Sequence, residues 1–189
     1  MLDGTIVGAL VDRLTDPANS ESAATFPTDR AATDCPGLYS WWGDDVALSM
    51  LSDLFGARMP SLIYAGQAGA TSSRSQRPRS ATLRSRICTN HLNGNIGSST
   101  FRKTLSAVLL EPLSLELVRA ECLDKVSNAA VSAWMRAHLR IVTAPYKDRD
   151  QLAEVEHAVL EQIDPPLNLM GMPSTPIRVM LSALRRRLG

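Results

Sequence analysis

The 189-residue chain carries 20 basic and 19 acidic residues, a formal net charge of +1, with 44% hydrophobic and 21% charged content. That composition suits one globular domain with appendages and excludes a whole-molecule basic field, so any nucleic-acid contact has to come from local clusters. Cys35, Cys88 and Cys122 are odd in number and far apart, which supports neither a zinc knot nor a disulfide scaffold. No apolar run approaches the roughly 18 residues of a membrane span, and Met1 to Leu14 lacks the layout of a secretion signal. The expectation is a reduced, cytoplasmic protein with no membrane contact.

Residues 2–14 pattern as a short amphipathic helix through Ile6, Leu10, Val11 and Leu14, and 15–34 as an irregular connector. Pro36 to Trp42 predicts a strand over 37–42, because tyrosine and tryptophan favour pleated backbone. Gly43-Asp44-Asp45 reads as a turn whose aspartates cap a helix over about 45–55, which Gly56 stops. Ser61 to Gly66 predicts a second strand. Each strand sets a tyrosine beside a glycine, in Gly37-Leu38-Tyr39 and Tyr64-Ala65-Gly66. Laid side by side, the two strands would bring two phenols near one point.

Gln67 to Ser80 is a polar loop holding Arg74, Arg77 and Arg79. It reads either as a solvated loop or as one that contacts phosphate. A helix is predicted over 81–92. At 100° per residue Arg86 lies about 60° to one side of its Leu83–Ile87 stripe, while Arg84 and His91 fall together on the other. A further helix over 99–110 carries Phe101, Leu105, Val108 and Leu109; residues 114–131 read as helical or irregular, and 138–143 as a third strand.

The helix over 149–163 holds the sharpest local anomaly. With Leu152 at zero, Glu156 falls at about 40°, inside the apolar arc of Val155, Val159, Leu160 and Ile163. An ionised carboxylate there is costly unless a cation, a metal or a set of donors meets it. It is either an edge acid paired to an arginine or a functional carboxylate. Asp164-Pro165-Pro166 ends the helix and turns Asn168 back toward the body. A last amphipathic helix over 174–188 ends in Arg185-Arg186-Arg187, read as a solvated turn complementing the helix dipole in preference to a phosphate contact. Trp41, Trp42 and Trp134 are read as core packing rather than base-stacking platforms.

In this order the pieces resemble the GIY-YIG nuclease superfamily over roughly residues 35–170. Gly37-Leu38-Tyr39 is similar to the first motif and Tyr64-Ala65-Gly66 to the second; Leu83-Arg84-Ser85-Arg86-Ile87 with His91 is similar to the arginine-bearing helix, Glu156 to the metal-binding glutamate, and Pro166-Leu167-Asn168 to the terminal asparagine motif. The 25-residue separation of the tyrosines, with a helix inserted, is closest to restriction-enzyme members with a long insertion. Gln67 stands where many members have a lysine, so Arg74, Arg77, Arg79 or Arg84 becomes the candidate substitute for nucleic-acid contact.

The resemblance implies an α+β fold with a small three-stranded antiparallel sheet flanked by helices, here with helical extensions at 1–34 and 173–189 around a domain at 35–172. It implies hydrolysis of DNA phosphodiester bonds, with RNA left open, and a single Mg²⁺ or Mn²⁺ on Glu156. Catalytic roles fall on Tyr39, Tyr64, Arg86, His91, Glu156 and Asn168. A tyrosine with a lowered pKa would activate water, and a homodimer or larger complex would serve double-strand cutting. The competing expectation is a binding or interaction module that keeps the fold without activity.

Overall fold

The computed structural model describes residues 3–71 and 81–189, so Arg74, Arg77 and Arg79 lie outside the described residues. In chain order the elements are α1 (Gly4–Thr15), β1 (Glu21–Ser22), α2 (Arg30–Thr33), β2 (Gly37–Gly43), α3 (Asp45–Phe55), β3 (Leu62–Ala68) and a π-helix (Ser85–Leu92). There follow α4 (Thr100–Val108), a small hairpin of β4 (Leu117–Arg119) and β5 (Cys122–Leu123), α5 (Lys125–His138), β6 (Leu139–Pro145), α6 (Leu152–Ile163) and α7 (Pro176–Arg186). No helix among the described residues is long and apolar enough to cross a membrane.

The expected three-stranded antiparallel sheet is present as β6-β2-β3, and Glu21–Ser22 adds a two-residue strand on the far side of β6. That addition was invisible in the connector because two residues carry no periodicity. The stretch left open over 114–131 resolves into the β4–β5 hairpin and the start of α5. Elsewhere local chemistry sets the boundaries: Asp44 caps α3 by accepting from the Ala47 N–H at 2.8 Å, and Gly56 ends it in the left-handed region.

Both faces of the sheet are buried. Leu38, Val142 and Ala144 pack with Val7, Leu10 and Leu14 of α1 and with Leu152, Val155 and Val159 of α6. Tyr39 and Trp41 point the other way, into a larger core with Ile87, Phe101, Leu105, Val131, Met135 and Leu181. Of the tryptophans, Trp41 and Trp134 are buried and Trp42 is half-buried, its indole N–H donating to Ser40 Oγ at 3.0 Å.

Gly37 has a steric reason to be glycine. A Cβ there would come within 2.4 Å of the Ala144 carbonyl oxygen and 2.9 Å of Pro145 Cα on the neighbouring strand. Neither backbone atom can move without breaking the β2–β6 ladder. Gly37→Ala should therefore destabilise the protein by about 2–3 kcal/mol in urea unfolding, as overpacking does, whereas Gly56→Ala, with open space around it, should cost only the left-handed backbone strain of about 1 kcal/mol.

Candidate active site

The site is assembled on the free edge of β3. Among the described residues only β2 pairs with β3, so the outward backbone groups at Ile63, Ala65 and Gln67 need other partners. The Leu167 N–H donates to the Ile63 carbonyl at 3.0 Å. The Asn168 side chain takes both groups of Ala65, accepting from its N–H at 3.0 Å and donating to its carbonyl at 2.8 Å. The Gln67 N–H lies near the Glu156 carboxylate and favours its charged form. Asn168 and Glu156 are both side chains expected to be functional, and Asn168 acts first as edge closure.

The β2–β3 register pairs Tyr39 with Gly66 and Trp41 with Tyr64, which puts both phenols on one sheet face along a diagonal. Gly66 leaves room for the first of them: a Cβ there would sit 2.8 Å from the Tyr39 hydroxyl oxygen. Tyr64 stacks on Phe101 with ring centroids 4.4 Å apart, and its hydroxyl lies 3.4 Å from Thr100 Oγ1.

Arg86 and His91 reach the same tyrosine for a reason that α-helical spacing conceals. The segment carrying them is a π-helix, closed by an Asn93 N–H to Cys88 carbonyl bond of 3.0 Å across five residues. Positions five apart then share a face, whereas an α-helix would hold them about 140° apart. His91 Nε2 is 2.7 Å from the Tyr39 hydroxyl and His91 Nδ1 is 2.6 Å from Ser99 Oγ. Arg86 lies close enough to Tyr39 to favour its ionised form; its Nη1 donates to the Ser98 carbonyl at 3.4 Å, and its Nε is buried without any hydrogen-bond partner.

Electrostatically the resting site holds neutral tyrosines. Burial raises the pKa of Tyr39 and Tyr64 above the ordinary phenol value, with Arg86 opposing. His91 is driven well below its ordinary value by burial and then by the nearby guanidiniums of Arg86 and Arg102, so it is neutral, with one donor and one acceptor nitrogen. Burial pushes Glu156 up to about 7; Arg86 and the Gln67 N–H oppose this without reversing it. Neither Arg86 nor any other cation forms an ion pair with Glu156 among the described residues.

Tyr64, Thr100, Thr104, Glu156, Asn168 and Arg185 line a cleft of about 320 Å³. Tyr39 and His91 are fully buried behind it. Arg84, a candidate nucleic-acid contact, is held at 2.7 Å by Asp34. Periodicity and motif spacing passed over three supporting residues. Ser99 caps α4 by accepting from the Arg102 N–H at 2.9 Å, a role that Ser-Ser-Thr ahead of an apolar run does signal. Arg102, fully buried, donates to the His91 carbonyl at 2.9 Å and to Asn128. Arg178 donates to the Asn168 carbonyl at 2.8 Å and ion-pairs Asp164 at 2.6 Å, fixing the turn that presents Asn168.

A family model described as the GIY-YIG catalytic domain matches residues 37–187. The chain belongs to the GIY-YIG nuclease superfamily. No curated protein and no solved structure matches it. Tyr39, Tyr64, the helix carrying Arg86 and His91, Glu156 and Asn168 are gathered around strands β2 and β3.

No group of three or more His, Cys, Asp or Glu side chains is gathered among the described residues. Glu156 is nevertheless suited to a hard divalent cation that keeps most of its waters: a carboxylate at an open cleft, raised in pKa and lacking a paired cation. Linkage gives this a sign. A carboxyl whose folded pKa lies near 7 against 4.5 unfolded is most favourable to folding below 4.5, and that contribution is lost as pH rises toward 7. Glu156→Gln should therefore raise the melting temperature of metal-free protein at pH 8 by a few degrees and leave it nearly unchanged at about pH 4, with ~2 kcal/mol at stake. Mg²⁺ or Mn²⁺ should stabilise the wild type at pH 8 but not Glu156→Gln. Asn168→Ala, which orphans two buried backbone groups, should cost about 2–4 kcal/mol in urea unfolding at any pH.

Proposed function

We propose that the chain is a metal-dependent endonuclease that hydrolyses phosphodiester bonds in DNA, with one Mg²⁺ or Mn²⁺ held by Glu156. The observation that carries this reading is the meeting of Glu156, Arg86 and two tyrosines around strands β2 and β3, with a buried Arg86 Nε that lacks a partner. A planar cation with a free donor suits a phosphate oxygen. When bound, the ion supplies Lewis-acid stabilisation of the phosphate and the leaving oxygen.

The protein's own groups then divide the work. Arg86 neutralises charge that develops on the phosphoryl oxygens. Tyr64, facing the cleft, orients the phosphate. Tyr39 is a relay: as its oxygen takes a proton from the attacking water, its own proton passes to Nε2 of His91, in the tautomer where Nδ1–H donates to Ser99. The raised resting pKa of Tyr39 makes this coupled transfer, rather than a standing phenolate, the route that fits. Asn168 positions Tyr64 through the backbone of Ala65.

The division into a nuclease domain at 35–172 with extensions at 1–34 and 173–189 belongs to this proposal, as does a role in restriction or DNA repair. Cutting both strands with one small site takes two copies or two visits, so a homodimer or a larger complex is included. Plasmid, single-stranded DNA and RNA incubated with Mg²⁺ or Mn²⁺ provide the test. Glu156→Ala and Arg86→Ala should each slow DNA cleavage by about 100-fold or more, and Tyr64→Phe by about tenfold or more. Cleavage untouched by Glu156→Ala would overturn the assignment; DNA binding with no cleavage under any condition would establish the inactive binding module instead.

A further inference from the structure

Arg185 stands out among the cations near the cleft. Of its neighbours on α7 and beyond, Arg178 is committed to Asn168, Asp164 and the Pro165 and Pro173 carbonyls, Arg187 is paired with Glu111 at 2.7 Å, and Arg186 is exposed and lines a separate groove beside Arg178. Arg86 lies beside Tyr39 and Arg84 is tied to Asp34. The Arg185 side chain makes no hydrogen bond or ion pair among the described residues. It is half-buried and lines the same cleft as Glu156, Tyr64 and Asn168.

Its placement follows from α7. Leu181 is buried against the core, and α7 packs on α4, whose Thr100 and Thr104 also line the cleft. Arg178 and Arg185 are seven residues apart and so occupy one flank of the helix. The first pins the turn that carries Asn168, and the second extends along the cleft wall. Glu121 is the acid whose carboxyl Arg185 helps to hold down, but Glu121 is already taken by Lys103. At the end of β3, Gln67 is neutral and its side-chain oxygen accepts from the Ala70 N–H at 3.0 Å, while Arg149 donates to the Gly69 and Ala81 carbonyls at 2.8 and 3.1 Å.

We propose that Arg185 contacts a backbone phosphate of the bound strand, one that neighbours the scissile phosphate at Glu156 and Arg86. This rests on the endonuclease reading. A guanidinium on a cleft wall with no internal partner gains from a phosphate without breaking anything in the resting protein. The helix that ends the chain thereby becomes part of the substrate channel, and Arg185 is a positioning residue that touches a phosphate other than the reacting one.

Fluorescence anisotropy on a labelled 20-base-pair DNA duplex and on a single strand, using Glu156→Gln protein without divalent metal over a salt series, tests the contact separately from cleavage. Adding Arg185→Ala should weaken binding by roughly tenfold, the worth of one charged hydrogen bond. It should also flatten the slope of log K against log[salt] by about 0.9 for the duplex and about 0.7 for the single strand. Arg185→Lys should restore most of the slope, and Arg187→Ala, whose side chain is engaged by Glu111, should change it little. An unchanged slope and affinity in Arg185→Ala, with the melting temperature retained, would overturn this contact while leaving the endonuclease reading standing. If Glu156→Gln itself binds neither DNA, both readings fall together.

Discussion

The free edge of β3 is the constraint on which the site depends. An unpaired strand edge presents backbone donors and acceptors that have to be satisfied, and this protein satisfies them with groups drawn from far along the chain. Leu167 and Asn168 close Ile63 and Ala65 in turn, and Glu156 stands near the Gln67 N–H. Leu167 on one side and Asn168 on the other thereby hold the strand around Tyr64. Arg178 stabilises the arrangement from behind by bonding the carbonyl of Asn168 and the carboxylate of Asp164. The stability of the edge and the geometry of the site are one set of interactions.

A second tension is electrostatic. Burial favours the neutral forms of Tyr39, Tyr64, His91 and Glu156, whereas Arg86 sits among them as a permanent charge with a donor to spare. The resting cluster is therefore short of negative charge at Arg86 and short of positive charge at Glu156. On the proposed function, a metal-bound phosphate would supply both. The perturbation toward neutrality before anything binds comes from burial.

Much of this was legible in residue pattern. The strands at Tyr39 and Tyr64 show as β-prone runs, and Glu156 shows as a carboxylate on an apolar arc because α6 is a regular helix whose buried side matches its wheel. Arg102 and Arg178 were missed because each lies just beside an apolar stripe, where an arginine ordinarily reaches water; tertiary packing buried both and gave them carbonyl partners. The two-residue β1 is set by its pairing with β6 rather than by its own composition. Arg86 and His91 seemed to diverge only because a wheel assumes 3.6 residues per turn.

That wider winding has a bearing on how relatives should be compared. A π-helical turn accommodates one more residue than an α-turn, so the segment Ser85–Leu92 behaves as an insertion that leaves no loop. In a chain where the arginine and histidine are four apart, an ordinary α-helix brings them to the same face and serves the same tyrosine. An ungapped alignment of the two chains would match one of the pair and misplace the other, so a functional residue would look lost when only the helix had been rewound. Arg102 meets the carbonyls of His91 and Leu92, which the end of this helix leaves unpaired.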